Sequence, residues 1–157
     1  MIDILGGYTG TLDPKGRFLL PANFKKQLSE EEGVRFVMTK GLDGCVSLFT
    51  INTWAPFRAK VGGLNGFSEK QRVVKRFFLD NAAYVEPDTA GRLLVPQDLK
   101  EFAGLTKELT MTWNDDHLEI WDSNKYKQLF DSISLADISR LTDEVLGGID
   151  PGDLLKP

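Results

Sequence analysis

The residues of this chain best equipped for chemistry are two arginines set in matching surroundings. Arg17 closes the run Asp13-Pro14-Lys15-Gly16-Arg17, and Arg92 closes Asp88-Thr89-Ala90-Gly91-Arg92. Three apolar residues and a proline follow each, as Phe18-Leu19-Leu20-Pro21 and Leu93-Leu94-Val95-Pro96, every position in the second copy lying 75 residues beyond the first. A guanidinium offers a planar fork of donors that fits a phosphate, or the O6/N7 edge of guanine, with two parallel hydrogen bonds. An aspartate four residues earlier either braces the turn through that arginine or orients the arginine for an outside partner, and both can hold at once. Lys15 sits at the tip of the first turn and is suited to meet a phosphate as a point charge. The second tip, Thr89-Ala90, carries no charge, so the first hairpin is expected to make the main contact and Arg92 to be secondary or structural.

No other constellation marks chemistry. The lone Cys45 has one histidine in the whole chain, His117, to activate it. That pair is too few for a metal site, and a single cysteine cannot form an internal disulfide. The carboxylates form no recognisable catalytic pair; Glu30-Glu31-Glu32 and Asp115-Asp116 read as solvated loops. We therefore expect no catalytic residue, no metal, no cofactor and no enzyme. Trp54, Trp113 and Trp121 read as core or interface residues rather than stacking platforms.

The elements that must position the arginines follow from turn chemistry and periodicity. Asp13-Pro14-Lys15-Gly16 is a tight turn: Asp accepts backbone N–H bonds, Pro fixes φ, and Gly supplies a positive φ. Strands are expected at Gly7–Leu12 and Arg17–Leu20, then a helix opened by Pro21 with Phe24 and Leu28 inward and Lys25 and Lys26 outward. Strands at Val34–Thr39 and Val46–Ile51 complete the first copy. The second copy repeats the order: strands at Ala82–Val85 and Arg92–Val95, a helix over Pro96–Phe102 stopping at Gly104, and strands at Glu108–Trp113 and His117–Trp121. These last strands match the first copy at an offset of 72, so the second copy lacks three residues, which we assign to the acidic loop Ser29–Gly33. Copies of about 50 residues bury too little surface to stand alone, so a shared core is expected.

Between and after the copies lie helical segments at Thr53–Val61 and Ser68–Leu79, with Ser68 and Gln71 spaced as a capping box, then at Asn124–Phe130 and Leu135–Leu146. The organisation expected is a first repeat at 7–53, a basic helical linker at 54–80, a second repeat at 81–124, and a C-terminal helix with an acidic tail at 125–157. No apolar run is long enough for a membrane span or a signal peptide.

The formal net charge is −4, which at first argues against a nucleic-acid partner. Its distribution argues otherwise. Arg58–Arg76 carries six bases against Glu69, whereas Asp131–Pro157 carries six acids against two bases and accounts for the whole deficit. The local field governs encounter with a charged partner. The basic linker is read either as a solvated face or as part of that field.

A paired Asp-x-x-Gly-Arg hairpin before a Pro-led helix, at this interval and chain length, resembles the MraZ family of bacterial proteins, in the AbrB/SpoVT-like superfamily. The likeness covers roughly residues 6–130 and extends to Trp54 and to Leu118-Glu119-Ile120-Trp121. It implies an α+β, mainly β fold: two tandem AbrB-like β-α-β repeats forming one swapped-hairpin-type barrel within a single chain, with flanking helices. It implies a ring-forming homo-oligomer in the cytoplasm, on the nucleoid. There it would regulate transcription of the division and cell-wall gene cluster by binding repeated promoter boxes in double-stranded DNA. On that basis the DNA-contacting residues are Lys15, Arg17 and Arg92, and Asp13, Gly16, Asp88 and Gly91 form the turns.

Two other classes compete. An AbrB-like antitoxin would bind a partner protein through its tail, for which the amphipathic stretch Leu135–Leu146 is a candidate; the duplication counts against it. A small barrel enzyme would need a pocket with a nucleophile or an acid–base pair, which the sequence does not offer.

Overall fold

A computed structural model describes residues 2–147. The chain divides into two compact units that meet after Ser123. In the first, each repeat runs strand–strand–helix–strand–strand rather than as a bare β-α-β. Repeat one comprises β1 (Gly7–Thr11), β2 (Arg17–Leu19), α1 (Ala22–Lys26), β3 (Phe36–Lys40) and β4 (Val46–Thr50). Two helices follow, α2 (Ile51–Gly62) and α3 (Glu69–Leu79). Repeat two comprises β5 (Ala83–Val85), β6 (Arg92–Leu94), α4 (Gln97–Ala103), β7 (Glu108–Asn114) and β8 (His117–Asp122).

The strands form one six-stranded antiparallel sheet, ordered β1-β7-β8-β4-β3-β5, and a separate two-stranded ribbon, β2-β6. The repeats exchange strands: β1 pairs with β7 of the other repeat, β5 with β3, and β2 with β6. The barrel expected from the family likeness is not closed. β1 and β5 are the edge strands of the sheet, and the ribbon is laddered to neither.

The register locates the missing residues. Tyr8 lies opposite Met111, and its counterpart Ala83 lies opposite Met38, so β3 and β7 correspond at an offset of 73. Met38 opposite Leu48 and Met111 opposite Ile120 then set β4 and β8 at 72. Two of the three residues therefore fall between helix and third strand, where the acidic loop lies. The third falls in the β3–β4 turn, which β7–β8 shortens to a two-residue hairpin with Asp115 at φ 58°. Val34 also departs from expectation: it belongs to a short 3-10 turn at Glu32–Val34, and β3 begins at Phe36.

Both repeats feed one core, as their size requires. Phe18, Phe24, Phe36 and Met38 pack in the same cluster as Leu93, Leu99, Leu109, Met111 and Ile120. Phe24 stacks within 5.6 Å of Trp113 from the other repeat. A second cluster on Val37, Phe49 and Trp54 takes in Phe57 and Leu79, so helices α2 and α3 cover the reverse face of β3 and β4. That double cover explains why β3 and β4 are buried at nearly every position, whereas β1 alternates.

Helix ends follow their caps. Thr50 and Thr53 form a reciprocal capping box at α2. Ser68 accepts from the Gln71 amide at α3, but the Gln71 side chain turns away to accept from the Asn65 amide, so only half of the expected box forms. In the second unit, α5 (Ser123–Asp131) and α6 (Leu135–Leu146) are helical, α6 within the expected bounds. Ser134 and Asp137 cap α6 reciprocally, and Leu135, Ile138, Leu141 and Val145 share one stripe of it. The acidic tail beyond Gly147 lies outside the described residues. No described helix is long and apolar enough to cross a membrane.

Candidate nucleic-acid interface

The two turns are built alike, atom for atom. Asp13 Oδ1 accepts from the Lys15 and Arg17 amides at 3.0 and 2.8 Å, and its Oδ2 accepts from Arg17 Nε at 2.7 Å. Asp88 repeats this with Ala90 and Arg92 at 3.0 and 2.8 Å, and with Arg92 Nε at 2.9 Å. The Gly16 and Gly91 amides donate to the carbonyls of Asp13 and Asp88, and φ is 88° and 81° at the two glycines. A side chain there would be strained, since the left-handed region penalises a β-carbon.

The carboxyls respond to these bonds. The Arg17 backbone amide does most to hold Asp13 below its usual 3.8; burial is the next influence and pulls the other way, and the Arg17 side chain and the Lys15 amide add to the lowering. Asp88 is lowered in the same way, first by the Arg92 amide. Each arginine thus has its Nε engaged, which leaves the terminal nitrogens of the fork for another acceptor. Bracing and reading are compatible, because they use different edges of the guanidinium.

The ribbon brings the two arginines together. In β2–β6, Arg17 lies opposite Leu94, Phe18 opposite Leu93, and Leu19 opposite Arg92. Strand alternation then places Phe18 and Leu93 inward, both almost fully buried, and Arg17, Leu19, Arg92 and Leu94 on the outer face. Arg17 and Arg92 also line one groove of about 620 Å³ with Tyr8, Thr11 and Asp13. Lys15 is exposed at the first tip.

Two further cations approach the turns. A β-carbon at Gly91 would lie 3.2 Å from Lys25 Nζ, and one at Gly16 would lie 4.0 Å from Lys100 Cδ. Lys25 is on α1 and Lys100 on α4, so each helix sends a lysine to the turn of the other repeat. The sequence did carry a signal for this, since the two lysines are themselves 75 residues apart.

Other sequence candidates are occupied elsewhere. Arg72 donates to the Gly66 carbonyl and Lys75 to the Gly62 carbonyl, so part of the basic linker secures the α2–α3 connection. Trp54 is buried against Phe49 and Phe57. Trp121 donates to Glu119. Cys45 is fully buried. His117 stacks on Phe49, with Asp116 Oδ1 at 2.6 Å from Nδ1 and Glu119 Oε2 at 3.7 Å from Nε2. Among the described residues no group of His, Cys, Asp and Glu could hold a metal ion.

Fold and site together define a class: single chains in which a duplicated unit exchanges strands with itself and sets two carboxylate-held arginines side by side on one ribbon. A family model described as "MraZ protein, putative antitoxin-like" matches residues 4–77 and again 78–147. The chain belongs to the MraZ family, as its paired hairpins led us to expect. It is 36% identical over 151 residues to a protein of Christiangramia forsetii, covering 96% of this chain and 97% of that one. A protein of Acetivibrio thermocellus is 37% identical over 122 residues, covering 78% and 82%. One from Flavobacterium psychrophilum is 33% identical over 150 residues, covering 95% of each. All three are named Transcriptional regulator MraZ.

Proposed function

We propose that this protein is a sequence-specific DNA-binding transcriptional regulator that reads duplex DNA with the β2–β6 ribbon. The observation that carries the reading is the placement of Arg17 and Arg92 on one outward face, each held by its aspartate with the terminal guanidinium nitrogens left over. A two-stranded ribbon fits the major groove, and an arginine fork matches guanine there or a phosphate at its rim. Lys15 meets the backbone. Asp13, Gly16, Asp88 and Gly91 keep the forks aimed.

In its fuller form the proposal has repeats at 7–53 and 81–124 of AbrB-like character, a linker at 54–80 and a C-terminal segment at 125–157. The subunits assemble as a homo-oligomeric ring and engage repeated boxes in the promoter of the division and cell-wall gene cluster, on the nucleoid in the cytoplasm. Several modest ribbons on one particle gain affinity through effective concentration, with no new contact. The relatives' shared name and the exposure of Lys15 at the first tip support the DNA-binding, regulatory part of this form.

The test is a salt-titrated binding assay with a duplex from upstream of the chain's own gene, comparing wild type with Arg17→Ala and Arg92→Ala at unchanged oligomeric size. Each loss is expected to weaken specific binding by about 1–3 kcal/mol, the worth of a bidentate base contact. If both variants bind like wild type, the arginines serve the turns alone. The antitoxin-like reading would then lead, with the α6 stripe as the partner surface, and the matched family description keeps that reading in view.

A further inference from the structure

We propose that Lys25 is the phosphate-contacting cation of the second hairpin, so that each DNA-reading turn is assembled from both repeats. The inference rests on the DNA-binding reading above and deepens it. The second tip has no charge of its own: Thr89 and Ala90 stand where the first hairpin has Pro14 and Lys15. Yet Lys25 Nζ reaches within 3.2 Å of the β-carbon position at Gly91 and fills the role from across the repeat boundary.

Three observations favour a ligand-facing role over simple packing. Lys25 is exposed, and among the described residues it has no carboxylate in ion-pair reach, although Glu30 lines the same depression. A lysine that merely covered a glycine would do so with its alkyl stem, as Lys100 does at Gly16, where its Cδ lies 4.0 Å from the β-carbon position, just beyond Leu94 Cδ1 and the Val95 carbonyl at 3.8 Å. At Gly91 the nearest atom is the ammonium itself. The turn it meets is also open to solvent at Thr89 and Ala90, so a phosphate can approach the ammonium over two small uncharged residues, while the Ala90, Gly91 and Arg92 amides stay committed to Asp88.

The consequence is that the second hairpin, like the first, has a cation beyond its arginine. Around the first turn stand Arg17, Lys15 and the stem of Lys100; around the second stand Arg92 and Lys25.

The experiment measures the salt dependence of binding with a labelled duplex from upstream of the chain's own gene and a scrambled duplex of equal composition. The variants are Lys25→Gln, Lys25→Arg, and Lys26→Gln as a charge-matched control one residue along the same helix. Each lost phosphate contact lowers the slope of log K against log salt by about 0.9 per engaged subunit. Lys25→Gln is expected to lower it by that amount on both duplexes, Lys25→Arg to retain it, and Lys26→Gln to leave it unchanged. If Lys25→Gln keeps the wild-type slope while Arg17→Ala and Arg92→Ala lose specific binding, this inference falls and the DNA-binding reading stands. If wild type shows no salt-dependent binding, both fall together.

Discussion

Arg17 and Arg92 stand diagonally across the β2–β6 ribbon, with Leu94 opposite the first and Leu19 opposite the second. Diagonal positions on one face of an antiparallel pair lie roughly 7–8 Å apart. Two guanidinium groups at that spacing repel unless each has its own counter-charge. Asp13 and Asp88 supply one apiece, so the pair is tolerated in the free protein.

The aspartates give the fold an acid limit. Both carboxyls are lowered below 3.8 in the folded protein, first by the amides of Arg17 and Arg92. A lowered folded value means their contribution is fully present above pH 3.8 and is lost as pH falls through the folded value. In thermal melts from neutral pH downward, the double variant Asp13→Asn, Asp88→Asn is expected to start less stable and to lose less below pH 4. Parallel curves for wild type and variant would contradict this.

His117 works in the opposite direction on the pH axis. Burial is the largest single influence and pushes its pKa down, but the Glu119 and Asp116 carboxylates together outweigh it and raise it above 6.5. Glu119 is correspondingly lowered, first by His117. A raised folded value stabilises fully below pH 6.5 and less as pH climbs through the folded value. Wild type should therefore lose melting temperature as pH is raised above 6.5, and His117→Gln should show a flatter profile there. A flat wild-type profile would remove the proposed ion pair.

Gly16 and Gly91 test the turns without touching charge. Alanine at either position is forced to φ above 80° and should cost about 1–2 kcal/mol in denaturant unfolding. At Gly16 a β-carbon would find only ordinary contacts near 3.8 Å, so there the whole cost is conformational. A cost near zero would show that the turn relaxes.

Phe24→Ala tests the shared core. The ring is fully buried, against Phe36 of its own repeat and Trp113 of the other. The expected loss is about 3–5 kcal/mol. Within the unit ending at Ser123 the repeats should still unfold in one transition. Two separate transitions would mean that each repeat carries its own core.

Local features were legible in the sequence, and partners were not. The turns could be read because Asp, Pro and Gly act on their own backbone, and α6 because the apolar spacing from Leu135 to Leu146 stops at Gly147. Val34 misled because a single β-branched residue beside a strand continues its pattern even when the backbone has turned into a 3-10 segment. The offset of 72 held for β4 and β8, but the strands alone could not apportion the deletion, which needed the register of Met38 and Met111. Gln71 had two acceptable partners in sequence and took Asn65. Nothing in period or composition says that β1 will bond β7, or whether a sheet closes. The site divides in the same way: Arg17, Arg92 and their aspartates were visible as a repeat, whereas Lys25 and Lys100 acquire meaning only once the strand exchange carries each helix to the other turn.

That exchange also sets a timetable for synthesis. Gly7 leaves the ribosome on the order of 100 residues ahead of Thr112, the residue it faces in the sheet. At 5–20 residues per second the interval is about 5–20 s. For that time the nascent first repeat has strands β3 and β4 to zip together, but its leading strand has nothing to bond. A cell translating this chain therefore holds, once per molecule, an unpaired strand ahead of its partner, and two nascent copies on one message could satisfy each other before either is complete.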